Sequence, residues 1–223
     1  MKKKTYILFF LLLSAALIFS GPAAAQESFD SDFDFGLGIM NLDLGDLHEV
    51  LDDNGFPAFD SSMIAFQTGN RYPLFEDWYL GNDTVGAFSL QEEGDKSAYL
   101  TFVLIGLSGG RSLDLDSDLS LDLGSRAGLG IMNLYLRHNK EFDSVEDAIE
   151  APVNSVMYNY YFMLAPELRL NYDLSAVTDI FLSGSYYWGY GGDNWYQFDM
   201  DKMEGLDSTI TGTGLKLGVN LNF

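Results

Sequence analysis

Cysteine is absent from this 223-residue chain. That excludes a disulfide framework and any thiolate metal site. It also excludes a lipid-anchored N-terminus, which needs a cysteine after the leader. Histidine occurs twice, at His48 and His138, so a transition-metal site would need both residues plus carboxylates. Proline is scarce, with five residues. Basic residues are few, 12 against 33 acidic ones. A chain so negative is a poor ligand for nucleic acid or for an anionic lipid surface. The acidity fits either a cation-binding, solvated outer surface or a saline habitat. Long apolar runs are also missing once the first residues are set aside. The longest, Tyr99–Leu107, is nine residues. A helix needs roughly 17–25 residues to cross a bilayer, whereas a tilted β-strand needs roughly 9–11.

What is present begins with a leader. Lys2, Lys3 and Lys4 precede the apolar stretch Tyr6–Phe19, and Pro22 and Ala23-Ala24-Ala25 follow it. This pattern predicts a signal peptide over 1–25, cut ahead of Gln26. Three of the basic residues leave with it, which takes the net charge from −21 to −24. Glycine (23), tyrosine (13) and phenylalanine (17) are abundant, as suits many strands with tight turns and aromatic girdles.

Eight segments carry strand signals: Phe33–Leu44, Ser62–Arg71, Trp78–Leu90, Ala98–Ser108, Leu119–Arg137, Val156–Leu174, Ile180–Tyr190 and Thr209–Phe223. The second and third are weak. The fourth is apolar on both faces. The sixth alternates most clearly, with Tyr158, Tyr160, Phe162, Leu164, Leu168, Leu170 and Tyr172 in phase and Asn159, Glu167, Arg169, Asn171 and Asp173 opposite them. A polar opposite face fits lipid outside and a polar lumen inside. Pro166 predicts a bulge or a split in this strand. Linkers after odd-numbered strands (Asp46–Asp60, Gln91–Ser97, His138–Val153, Gly191–Asp207) are mostly long and acidic. Those after even ones, Tyr72–Asp77, Gly109–Asp118 and Ser175–Asp179, are shorter.

The last strand alternates Leu215, Leu217, Val219, Leu221 and Phe223 with Lys216, Gly218, Asn220 and Asn222. This ending of about nine residues resembles that of small bacterial outer-membrane β-barrel proteins, porin-like or OmpA-like, which close on alternate apolar residues and a final Phe. The resemblance implies an all-β fold: a transmembrane antiparallel up-and-down barrel of eight strands, with ten as the alternative. It implies export through the Sec route to the outer membrane of a Gram-negative-type envelope. Contact with outer-membrane lipid follows, as does recognition of the C-terminal strand by the barrel-assembly machinery. The expected state is a monomer without cofactors.

Gly36–Leu42 and Gly128–Leu134 are the same heptapeptide, G-L-G-I-M-N-L. Each copy is followed by a D-x-x-E helix-capping pattern, Asp46–Glu49 and Asp143–Glu146. Residues 26–223 therefore read as one barrel domain built of two four-strand halves, about 33–115 and 119–223.

No catalytic constellation stands out. Ser183 and Ser185 share the lumen phase of the seventh strand without a histidine beside them. Asp114, Asp116 and Asp118 suggest a calcium loop, but Leu119 and Ser125 stand where its glycine and glutamate belong, so a polar turn is expected. Gly189–Gly192 leads into a loop and lacks the Lys-Ser/Thr of a phosphate cradle. Asp122, Arg126, Glu167, Arg169, Asp173 and Lys216 are expected to be lumen charges, with Lys216 paired to a carboxylate. The reading is a non-enzymatic integral barrel with a structural or surface-interaction role, presented through acidic loops. The alternatives are a narrow cation-preferring channel governed by Asp122, Glu167 and Asp173, and a secreted lipocalin-like barrel holding an apolar ligand.

Overall fold

The computed structural model describes residues 31–45, 47–59, 62–138, 154–192, 194–197, 202–204 and 209–222. The leader, Asp46, Asp60, the second capping pattern and Phe223 lie outside them.

Eight long strands form the wall. They are β1 (Asp32–Asp43), β2 (Ser62–Phe75), β3 (Trp78–Glu93), β4 (Lys96–Asp116), β5 (Leu119–His138), β6 (Asn154–Ser175), β7 (Thr178–Gly191) and β10 (Thr209–Asn222). Each pairs antiparallel with its neighbour, β10 pairs with β1, and β5 pairs with β6, so no wall strand is left with a free edge. Paired residues can be followed round the wall from Trp78 through Arg111, Leu123, Leu168, Gly184, Leu215, Ile39 and Ile64. They return to β3 at Phe88, ten residues above the start. Eight strands with that stagger make a narrow barrel whose interior is filled by side chains.

Two short strands, β8 (Asn194–Gln197) and β9 (Lys202–Glu204), extend the sheet from β6 above the wall. They account for the ten strands of the sheet, and the wall itself has eight. A seven-residue helix, α1 (Leu47–Asp53), lies between β1 and β2.

Three connections at one end are two-residue turns: Glu76-Asp77, Ser117-Asp118 and Ala176-Val177. At the other end only Gly94-Asp95 is that short, and Gly94 takes a positive φ of 58° to make it. The stretch Gly109–Asp118, expected as a connection, is mostly strand, because β4 keeps its pairing with β5 down to Asp116. Asp114 and Asp116 therefore end a strand, and all three aspartates are exposed. Pro166 neither bulges nor splits β6. Its missing N–H interrupts the β6–β7 pairing over two residue pairs, at Ala165 and Pro166, and the register resumes unchanged from Leu164↔Trp188 to Glu167↔Ser185.

Polarity inverts along the barrel. Toward the short-turn end, apolar side chains face out. Leu217 (63% exposed), Leu129 (65%) and Leu107 (64%) belong to a belt that also includes Phe35, Leu37, Leu168 and Leu182. The lumen behind them is charged. Toward the long-loop end, outward positions become Asn41 and Asp43 on β1, and Thr213, Thr211 and Thr209 on β10. There the lumen is apolar, packed with Met40, Leu42, Leu100, Phe102, Met132, Leu134 and Met163. The lower part behaves as a wall in lipid, and the upper part as a small water-facing barrel with its own core. The double apolarity of β4 has this cause, since Leu100, Phe102 and Leu104 serve the upper core while Ile105 and Leu107 serve the belt. The lipocalin-like alternative required the apolar faces of the closing strand to point inward. Leu215, Leu217 and Val219 point outward.

The two heptapeptides lie in β1 and β5, four strands apart in a ring of eight and so on opposite walls. Both turn their Met and second Leu inward (Met40, Leu42; Met132, Leu134) and their first Leu outward (Leu37; Leu129).

Candidate functional site: a charge-balanced lumen under an apolar plug

The inward positions of the lower wall converge on four carboxylates and four cations. Asp34 comes from β1, Arg71 from β2, Asp83 from β3, Asp122 and Arg126 from β5, Glu167 and Arg169 from β6, and Lys216 from β10. All eight are buried, Arg126, Arg169 and Lys216 to within 1–2% exposure.

Each cation bridges strands. Arg169 grips Asp34 with both terminal nitrogens, at 2.5 and 2.9 Å, while its Nε donates to Asn171 at 2.6 Å. Such a fork is the strongest carboxylate geometry available to arginine. Arg71 reaches Asp34 at 3.0 Å, Asp122 at 2.5 Å and Glu167 at 3.6 Å. Arg126 joins Asp83 (3.3 Å) to Glu167 (3.4 Å). Lys216 meets Glu167 at 3.0 Å and also donates to Gln67. Gln67 in turn donates to Asp83 at 3.1 Å, and the Ser185 hydroxyl donates to Glu167 at 2.8 Å. Glu167 is the hub, touched by Arg71, Arg126, Lys216 and Ser185. Two rings brace the guanidinium groups, with Arg169 3.8 Å from the centre of the Phe181 ring and Arg71 4.6 Å from that of Tyr79. A Cβ on Gly36 would come within 3.0 Å of the Phe181 ring, so this position is kept bare for the stack.

Burying charges is tolerable here because the eight charges of the cluster balance and each cation lies in ion-pair contact with at least one carboxylate, although Arg126 Nη1 is buried without a hydrogen-bond partner among the described residues. It also leaves the outside unbalanced. Four of the nine basic residues after residue 25 are spent in the lumen, so most of the excess of negative charge falls on loops, turns and rims.

The upper lumen is closed by α1. Leu47 and Leu51, one turn apart, point into the mouth together with Phe59. Gly55 ends the helix at φ 66°, where Phe56 N–H donates to Leu51 C=O at 2.8 Å. Lys96 fastens this plug from the β3–β4 turn. It donates to the Asn54 carbonyl at 2.8 Å and sits 4.8 Å from the centre of the Phe56 ring.

Of the lumen charges expected from sequence, Asp122, Arg126, Glu167, Arg169 and Lys216 meet in this cluster, and Lys216 has its carboxylate. Asp173 does not join them. It has the inward phase of β6 but lies beyond the barrel floor, exposed at the short-turn rim. The pairs link different strands: Arg169 meets Asp34, three strands away on β1, and Glu167 meets Lys216, two strands away on β10. Asp34, Gln67, Arg71 and Asp83 were missed. Asp34 was legible, because it stands between the lipid-phase residues Phe33 and Phe35. Arg71 and Asp83 sat in the weakly patterned second and third strands. His48 lies in α1, and the His138 side chain is outside the described residues.

No protein-family model and no curated protein matches this chain. Solved structures do match it in shape. Ail, the attachment invasion locus protein of Yersinia pestis, aligns over 88% of this chain and 100% of its own, with a TM-score of 0.50 and 15% identity. Neisserial surface protein A aligns over 88% and 98%, with a TM-score of 0.51 and 14% identity. The fold is that of the small outer-membrane β-barrels. At such identity the likeness extends to architecture, and the chemistry of the lumen has to be read from this chain's own residues.

Proposed function

We propose that this chain is a closed, non-enzymatic outer-membrane barrel that presents an acidic surface through its loops. The observation that carries this reading is the filled lumen: a neutral ion cluster below and an apolar plug above. At mid-lumen, four cations matched by four carboxylates offer a passing cation neither room nor a net attractive field, and the further buried carboxylate, Asp179, is held at the short-turn end by the Asn220 and Asn222 amides. This speaks for a surface role over the cation-preferring channel. The Ser185 hydroxyl is engaged by Glu167, and its lumen position is remote from any substrate outside. Export follows from the leader over 1–25. The two four-strand halves, 33–115 and 119–223, follow from the opposed heptapeptides. The partners fitting the loops are cationic. Ail of Y. pestis has been crystallised with the heparin analogue sucrose octasulfate, a polyanion that the acidic loops of this chain would repel.

Planar-bilayer recording tests the closed state. With folded, heat-modifiable protein inserted, no stepwise current is expected. None is expected either after removal of residues 46–60, because the ion cluster closes the barrel below the plug. Steady unitary conductance from the intact chain would reject a sealed barrel.

The reading also assigns the assembly machinery as partner of the closing strand, Leu215, Leu217, Val219, Leu221 and Phe223. Deleting Phe223 is expected to lower the amount assembled in the outer membrane with secretion unchanged. Normal assembled levels, measured as the heat-modifiable fraction, would remove that assignment.

A further inference from the structure

The lipid-facing belt carries one cluster of four polar side chains. Thr68 and Asn70 of β2 pair with Thr84 and Asn82 of β3, residue for residue. All four occupy outward positions. Their inward neighbours are Gln67, Arg71 and Asp83 of the buried cluster. On one flank Phe33 and Phe35 of β1 pair with Asn70 and Thr68. On the other, Leu107 and Ile105 of β4 pair with Asn82 and Thr84, and both are more than half exposed. The quartet is thus a polar island enclosed by apolar belt. Asn82 is exposed, Asn70 and Thr84 are half-buried, and Thr68 is sheltered by its neighbours. Within it Asn70 Nδ2 donates to Asn82 Oδ1 at a long 3.4 Å, which uses one of the two amide donors of Asn70 and leaves both of those of Asn82.

Hydrocarbon supplies no hydrogen-bond partner, so amides facing it are costly unless another protein surface covers them. We propose that the β2–β3 face is a homodimer interface, at which a second copy of this chain meets the same face across a two-fold axis along the barrel. The inference rests on the chain spanning a membrane, as proposed above. Two physical reasons select a second copy as the occupant. Side-chain amides carry donors and acceptors together, so Asn70 and Asn82 can bond to their own counterparts in an isologous contact. And two copies inserted in the same direction sit at the same depth, so each island meets an identical island without further adjustment. Small Thr68 and Thr84 let the two walls approach closely. On this proposal the assembly is a dimer, where the sequence alone led to the expectation of a monomer.

The absence of cysteine makes the test clean. Leu80, outward beside the island, and Leu168, on the far wall, are each changed to cysteine in the otherwise intact chain. The protein is reconstituted at a fixed protein-to-lipid ratio and treated with a short bismaleimide. L80C is expected to cross-link at least about tenfold more than L168C. Adding N70L and N82L is expected to return it to the L168C level, a change equivalent to about 1.4 kcal/mol and within the strength of side-chain hydrogen bonds in membranes. Heat-modifiable mobility, followed in parallel, reports folding, and N82L alone serves if the double change fails to fold. Equal cross-linking at the two walls overturns the proposal. So does cross-linking of L80C that N82L leaves unchanged, or capture in native membranes of a different protein only. A wild-type chain that never becomes heat-modifiable defeats the membrane reading and the dimer with it. A heat-modifiable chain without cross-links defeats the dimer alone.

Discussion

Replacing Glu167 by glutamine is expected to destabilise the barrel by about 3–5 kcal/mol, the usual cost of removing one partner from a buried ion pair. Among the described residues, Glu167 is the carboxylate in ion-pair contact with Lys216, at 3.0 Å, and one of two in contact with Arg126. Without its charge, Lys216 keeps Gln67 and a long contact to the Tyr187 hydroxyl at 3.5 Å, with no carboxylate left in ion-pair contact among the described residues. The lumen then carries an uncompensated positive charge behind an apolar wall. Reversible urea unfolding in lipid vesicles measures the loss. The companion variant K216M removes that stranded charge, so E167Q/K216M should be less destabilised than the sum of the two single changes. A loss below about 1 kcal/mol for E167Q, or strict additivity, would mean that the cluster is solvated and the lumen open.

Arginine at Leu217 is expected to cost about 2–4 kcal/mol, whereas arginine at Thr211 on the same strand should cost roughly 0–1 kcal/mol. Leu217 is the middle of the outward run Leu215–Leu217–Val219 and is 63% exposed on the barrel. Thr211 lies three outward positions further toward the long-loop end, where the exterior has turned polar. In water, an arginine on so exposed a site would be close to neutral. The sign and depth dependence of the pair therefore report whether the belt sits in hydrocarbon. Equal, small effects at both sites would place the chain in solution.

Most of the wall was legible in the sequence. The sixth, seventh and closing strands alternate cleanly because lipid on one side and a filled lumen on the other impose a two-residue period on every position between them. The second and third strands were weak for a physical reason. Thr68, Asn70, Asn82 and Thr84 put polar groups on the lipid side, and Ala65, Val85 and Ala87 put apolar groups on the lumen side. Their pattern is blurred where the proposed interface lies and where the upper core begins. The fourth strand, apolar on both faces, marked a lumen that is not polar throughout. A two-residue period does not encode the height at which the lumen turns from charged to apolar.

The sequence by itself determined the class of fold, the eight wall strands and the side of the wall on which Asp122, Arg126, Glu167, Arg169 and Lys216 stand. These follow from period, composition and order along the chain, which are local properties. Only the tertiary structure decided which charge meets which. Arg169 and Asp34 are 135 residues apart in sequence and meet because the barrel closes with one particular stagger. The same closure set Asp173 outside the cluster, brought α1 into the mouth and gathered four separate polar residues into one island on the lipid face. A two-residue period fixes the side of the wall on which a residue stands. Its height, and its neighbours across the lumen, are set by the register of all eight strands together.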